Sequence, residues 1–313
     1  MDLQAESLFS WAGAADGNER VSTLHFVRDL TADETEKSRF AELLLRAMTE
    51  GSALAELRAA NSSLHEAIEI CEREGTISGS DAYRAGAKVQ REFKTWLSAL
   101  RSFDNRTCAW LARELGQEGQ VYQDFKRLLS AEYDSNFAYR LCCSLRNASE
   151  HAGNVINSLS VGSRENAERG GIETVVVLRL NGPRLARDFP RIKASIREEL
   201  RNCSGPLEVE WIVGAAALSC ERIHCGLLLA LWRDLEPLIL LCQSLHDAAQ
   251  ANGGGWAVFV PTGTFTGPEQ IPKQMTLRYN AKNLGDLALR NRSEAETILG
   301  QPVRPLGAQF FIE

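Results

Sequence analysis

The sequence predicts a mainly α-helical bundle with a few short strands and a small C-terminal β element. Three observations predict it. Apolar residues recur at steps of three and four across much of residues 31–157, as in Val89, Phe93, Trp96, Leu97, Leu100 and Phe103. Short turns divide that region into four or five helices, the pattern of an antiparallel bundle. Strand-like patterning is confined to brief runs, of which TVVVLRL at residues 174–180 is the clearest.

Taken in order, residues 1–30 show no clear period and are expected to form an arm. Thr31 opens T-A-D-E, a capping box completed by Glu34, and Phe40, Leu43, Leu44 and Ala47 follow at helical spacing. The helix pauses near Gly51-Ser52, and Leu54, Leu57, Leu64 and Ile68 continue the apolar pattern until Gly75. A second long segment, from Tyr83, holds the Val89–Phe103 stripe, with Asp104-Asn105 as a predicted interruption before Trp110, Leu111, Leu115 and a stop at Gly116. Val121, Phe125, Leu128 and Leu129 open the next helix. Residues 133–155 then read as one long helix, 162–171 as a polar loop, and 174–180 as a strand closed by Asn181-Gly182-Pro183. Helical segments follow at 184–201, kinked by Pro190, and up to Ala251, while 207–213 reads equally as strand or helix start. Beyond Gly253-Gly254-Gly255, strand-like pieces at 256–260, 274–279 and 309–312 suggest a small sheet. The expected domains are therefore an arm (1–30), a helical bundle (31–252) and a C-terminal appendage (253–313).

Composition narrows the function classes. Of 313 residues, 44% are hydrophobic and 24% charged, which excludes a disordered chain. The apolar runs 211–220 and 225–232 are cut by Glu221, Arg222, Arg233 and Asp234, short of the ~18 residues of a membrane span. A net charge of −6 excludes a protein that coats long nucleic acid. The N-terminus lacks a basic segment leading into an apolar one, and eight irregularly placed cysteines read as reduced core residues, so a cytoplasmic location is expected.

Chemistry concentrates in residues 133–155. On a helical wheel Phe137, Leu141, Leu145, Ala148, Ala152 and Val155 form a core stripe. Beside it Tyr133, Arg140, Ser144, Asn147, His151 and Asn154 fall within roughly 80° as a polar row. Such a row faces a partner or a polar cleft. Arg146 lies about 140° from His151 on an ideal helix, so the two converge only if the arginine reaches around, the helix is distorted, or a second chain supplies its own copy.

Arg146-Asn147-x-x-x-His151, with FAYRLCCSLRNASEHAG around it, resembles the signature of the HEPN superfamily. It is also similar to a group of uncharacterised bacterial HEPN proteins in which an aromatic-rich helix runs into L-R-N-x-x-x-H. The resemblance covers residues 85–160 and, more loosely, 185–250. Its implication is an all-helical HEPN-like bundle acting as a metal-independent endoribonuclease without a cofactor. Arg146, Asn147 and His151 would be catalytic at a cleft shared by two chains. RNA, tRNA included, would be the substrate, and many family members serve as toxins, abortive-infection factors or CRISPR nuclease parts, which implies an antitoxin or defence partner. A homodimer is expected through the helix 133–155.

An R-x-x-x-x-H match arises by chance roughly 0.4 times in such a chain, and the asparagine lowers this to roughly 0.02. Arg20 with His25, and Arg58 with His65 at looser spacing, lack the polar second residue. The residue types suit the chemistry. Attack of a 2′-hydroxyl on phosphorus requires a base, an acid for the leaving oxygen, and positive charge on the phosphorane. Histidine serves as base or acid near neutral pH, and arginine's planar fork holds phosphate oxygens. One histidine does not easily do both tasks in a turnover, which is a physical reason for two chains. Asn147 would orient the imidazole or the ribose. Arg140 and Ser144 are candidate substrate contacts, and a surface ion pair is the competing reading of Arg140.

Other clusters carry less. Cys220, His224 and Cys225 fit core packing better than a metal site, since only two share a face. Arg184, Arg187 and Arg191 share their segment with acids and read as a solvated face. The Gly263-x-x-x-Gly267 run lacks the Lys-Ser/Thr of a P-loop. The competing function, from another class, is a non-catalytic helical module for dimerisation or partner binding.

Overall fold

The structure, a computed structural model, describes residues 6–16, 19–48, 52–74, 79–152, 156, 158–166, 171–203, 205–252, 256–261, 276–277, 290 and 292–300. Among them the chain is mainly helical, with helices α1 to α8, a further helical stretch at 292–299, and strands β1 to β7. The chain divides into two compact units: residues 1–52 with 228–297, and residues 53–227 with 298–313.

The first unit holds β1 (Glu6–Asp16), β2 (Glu19–Asp29), α1 (Ala32–Met48), β6 (Trp256–Pro261) and β7 (Thr276–Leu277). Its antiparallel sheet runs β2-β1-β6-β7. The expected N-terminal arm is thus a hairpin, paired from Ser7 with Asp29 to Asp16 with Glu19. No alternation betrays β1 because five consecutive residues, Glu6 to Ser10, are all buried. Polar Glu6, Ser7 and Ser10 are as buried there as Leu8 and Phe9, so polarity marks no solvent face, and the residues that β1 pairs with on β6 lie 245–255 positions away in sequence, a strongly non-local pairing. The arm and the C-terminal appendage are therefore one sheet. Leu8, Leu30, Leu245, Ala249 and Phe259 form its core. The capping box forms as expected: the Thr31 Oγ1 accepts from Glu34 N–H at 3.1 Å, and the Thr31 N–H donates to Glu34 at 2.9 Å. Arg28 grips the same carboxylate at 2.7 and 2.9 Å and, chiefly through these bonds, holds the Glu34 carboxyl down at about 2.

The second unit holds α2 (Ala53–Glu74), α3 (Gly79–Glu114), α4 (Gln120–Ser135), α5 (Phe137–Ala152), α6 (Gly182–Asp188), α7 (Ala194–Arg201) and the part of α8 (Val209–Ala251) that runs to Leu227. Its sheet is β3 (Ser158–Asn166), β4 (Gly171–Leu180) and β5 (Leu207–Glu208), in that order. α3 packs on α2, α4 and α5, and the predicted stripe from Val89 to Phe103 is buried throughout. α8 runs antiparallel to α2, since Arg58 pairs with Glu221 at 2.6 Å while His65, further along α2, lies 3.9 Å from the earlier Glu210. It approaches α4 so closely that a Cβ at Gly226 would lie 2.8 Å from the Leu128 side chain.

Several expectations are corrected. α3 runs through Asp104-Asn105 without a break, because Asp104 bonds the Tyr139 hydroxyl at 2.9 Å instead of competing for its own backbone. The loop expected from Gly162 is strand, with Gly162 opposite Val175, since the ladder supplies what the side-chain pattern does not. Residues 207–213 divide into a two-residue strand and the start of α8. The helix expected over 133–155 is two helices that part at Asn136. Val209–Trp232 is long and apolar enough to span a membrane by length and composition, contrary to the sequence reading. Half of that stretch is buried in protein, and its charged Glu221 and Arg222 pair with Arg58 and Glu132 of neighbouring helices, the pattern of a core helix. The strand expected at 309–312 and the glycines at 253–255 lie outside the described residues.

Replacing Thr31 by Ala removes the cap and is expected to destabilise the first unit by about 1 kcal/mol. Urea unfolding followed by circular dichroism checks this, and an unchanged midpoint would show that the cap contributes nothing.

Candidate functional site

Asn136 determines where the motif helix lies. It closes α4, its N–H donating to the Glu132 carbonyl at 2.9 Å, and its side-chain oxygen opens α5 by accepting from the N–H groups of Ala138 and Tyr139 at 2.9 and 3.3 Å. The same amide donates to the Ser219 hydroxyl at 2.8 Å and the Ala215 carbonyl at 3.2 Å of α8. Ser219 donates onward to Glu132 at 2.9 Å, and Arg222 holds the other Glu132 oxygen at 2.7 Å. One side chain thus fixes both the break and the direction of α5.

From there α5 buries Phe137, Ala138, Tyr139, Leu141, Cys142 and Leu145, a wider face than the predicted stripe. Ala148, Ala152 and Val155 lie outside the described side chains. The predicted polar row does not survive as a single surface. Tyr133 belongs to α4, where Lys193 sits 4.5 Å over its ring. Arg140 donates to the carbonyls of Tyr133 and Asp134 at 2.9 and 2.7 Å, sealing the end of α4, and to Glu199 of α7 at 2.8 Å. It is an ion-paired junction residue with its donors committed, rather than a cation waiting for phosphate. Ser144 is half-buried on α5, and so is Arg146.

The whole Arg146-Asn147-x-x-x-His151 run lies within α5, so the backbone places Asn147 and His151 one turn apart. The side chains of Asn147 and His151 lie outside the described residues. The other sequence candidates do not converge. Arg58 is engaged with Glu221, and Arg184 and Arg187 both bond Asp188 on an exposed face. Cys220 and Cys225 are buried, with His224 half-buried between them. Burial pushes the Cys142 thiol well up and the Cys143 thiol to about 12, so both are protonated and unreactive near neutral pH.

A feature absent from the sequence reading lies on the other side of α5. α3, α4 and the start of α5 enclose a cleft of 610 Å³, with Asp104 and Tyr139 in its floor. Burial pushes the Asp104 carboxyl up from its ordinary 3.8 to about 6, against the lowering pull of the Tyr139 hydrogen bond, Arg101 and Lys126. The signal was present in the sequence. Asp104 stands four residues after Leu100 and seven before Leu111, on the core stripe itself, where a carboxylate is out of place. Glu132 stands likewise seven residues after Phe125.

Comparison with protein-family models, with characterised proteins and with solved structures yields no match for this chain.

A raised pKa means that the folded state binds the Asp104 proton more tightly than the unfolded state. Stability from this group is then greatest below about pH 4 and falls as pH rises through about 6. Asp104→Asn keeps an acceptor for Tyr139 but no charge. It is expected to gain about 3 kcal/mol over the wild type between pH 4 and pH 8, read by urea unfolding at the two pH values. A pH-independent difference would refute the buried charge.

Proposed function

We propose that the chain is a metal-independent endoribonuclease of the HEPN type, with Arg146, Asn147 and His151 at its reacting centre. The observation that carries this reading is that the complete R-N-x-x-x-H run falls inside one helix whose preceding turns are anchored in a helical bundle. Anchoring matters because acid–base catalysis needs its groups held within hydrogen-bond reach of the moving protons.

The imidazole of His151 takes the 2′-hydroxyl proton, or returns one to the departing 5′-oxygen. The Arg146 guanidinium offsets the charge that grows on the phosphorane oxygens. A second copy of the chain supplies the second histidine. The first half of α5 is committed to the chain's own core and to Glu199, so that copy would meet the part of the helix beyond Ser144 rather than its whole length. A role in phage defence or as a toxin, with a cognate antitoxin or defence partner in the cytoplasm, rests on family analogy.

The test uses tRNA and total RNA in EDTA. The wild type is expected to cut, leaving 2′,3′-cyclic phosphate and 5′-hydroxyl ends. His151→Ala and Arg146→Ala should each slow cleavage by about 100-fold or more with the helical circular dichroism signal intact. Absence of cutting, or cutting that survives both changes, would leave a non-catalytic binding module as the account of α5.

A further inference from the structure

The cleft on the α3–α4 side of α5 has a composition that structural packing does not require. A neutral side chain would satisfy the Tyr139 hydroxyl equally well, yet the position holds a carboxylate at 8% exposure whose charged form is disfavoured by burial. Such an arrangement lowers stability and marks a functional group more often than a scaffold one. Oδ1 accepts from Tyr139, while Oδ2 stands 3.9 Å from the nearest Arg101 nitrogen, beyond hydrogen-bond range. The carboxylate therefore keeps acceptor capacity toward the cleft.

We propose that this cleft binds a guanine nucleotide, with Asp104 accepting from the base edge, Tyr122 offering a face to the ring, and Lys126 taking the phosphate. Charge complementarity selects this class. A simple anion would meet Asp104, and a simple cation would meet Arg101 and Lys126, so the ligand must join a donor edge to an anionic group. Guanine is the base whose edge presents two adjacent N–H donors, the pattern a carboxylate matches. Tyr122 on the α4 wall provides a face for stacking, one turn before Lys126. The cleft's 610 Å³ falls within the roughly 300–1,000 Å³ of small-molecule sites. The proposal is independent of the nuclease reading, because every group it uses lies on a different set of residues.

Titration calorimetry of the full chain with GMP, guanosine, AMP and CMP tests it. GMP should bind, with AMP and CMP at least about tenfold weaker and guanosine weaker than GMP. Asp104→Asn should erase the base preference. Lys126→Ala, at an exposed position where folding is not at issue, should narrow the gap between GMP and guanosine. A short single-stranded RNA containing one guanine, titrated into the His151→Ala protein so that it stays intact, separates the two sources. Tighter binding than GMP assigns the cleft to an RNA chain, and weaker binding assigns it to a free nucleotide. No GMP binding at about millimolar concentration, or equal binding of GMP, AMP and CMP, overturns the proposal. GMP affinity unchanged in Lys126→Ala overturns the phosphate assignment even if Asp104→Asn fails to fold.

Discussion

The placement of α5 depends on a buried polar relay: Asn136 to Ser219, Ser219 to Glu132, and Glu132 to Arg222. Each donor meets an acceptor, and Ser219 acts as both. A network so satisfied is rigid, whereas one that has lost a member leaves buried groups with their full desolvation cost. Removing the Asn136 side chain would strip two backbone N–H groups of their cap and leave Ser219, fully buried, without its donor, a combined loss of about 2–4 kcal/mol. Hydrophobic contacts of Leu141 and Leu145 give α5 its affinity for the bundle. The relay gives it a direction, and so decides where Arg146 and the turn from Asn147 to His151 stand.

Arg140 makes the same point from the other side. A helical wheel counts it as one cation in a polar row, but its fork is consumed by two α4 carbonyls and Glu199. Charge that looks functional in one dimension is here the mortar of a three-helix joint. Asp104 is the converse case. It lies in a segment where the sequence suggested only a helix interruption, and it proves to be a buried carboxylate at the floor of a cleft.

What the sequence made legible was local and periodic. The α3 stripe, the Thr31 capping box, the Gly116 stop at φ 80° and the Pro190 break all depend on neighbours a few residues apart. The parts it hid depend on distant partners: β1 reads as no element until β6 lies beside it, and Gly162 reads as loop until Val175 pairs with it. Of the site, the helical setting of the R-N-x-x-x-H run was legible. The division at Asn136 could have been inferred from an asparagine standing before Phe137, a cap in a run otherwise free of breakers. The cleft around Asp104 could have been suspected only by asking why an acid sits on a core stripe.

Hydrogen exchange of Asn136→Ala, compared with the wild type, tests most directly whether this relay orients α5. Amides of residues 138–146 should lose about tenfold or more of their protection while those of the α3 stripe, residues 89–103, keep theirs. Exchange along α5 that matches the wild type would contradict the account, and would mean that apolar packing alone holds the helix where it is.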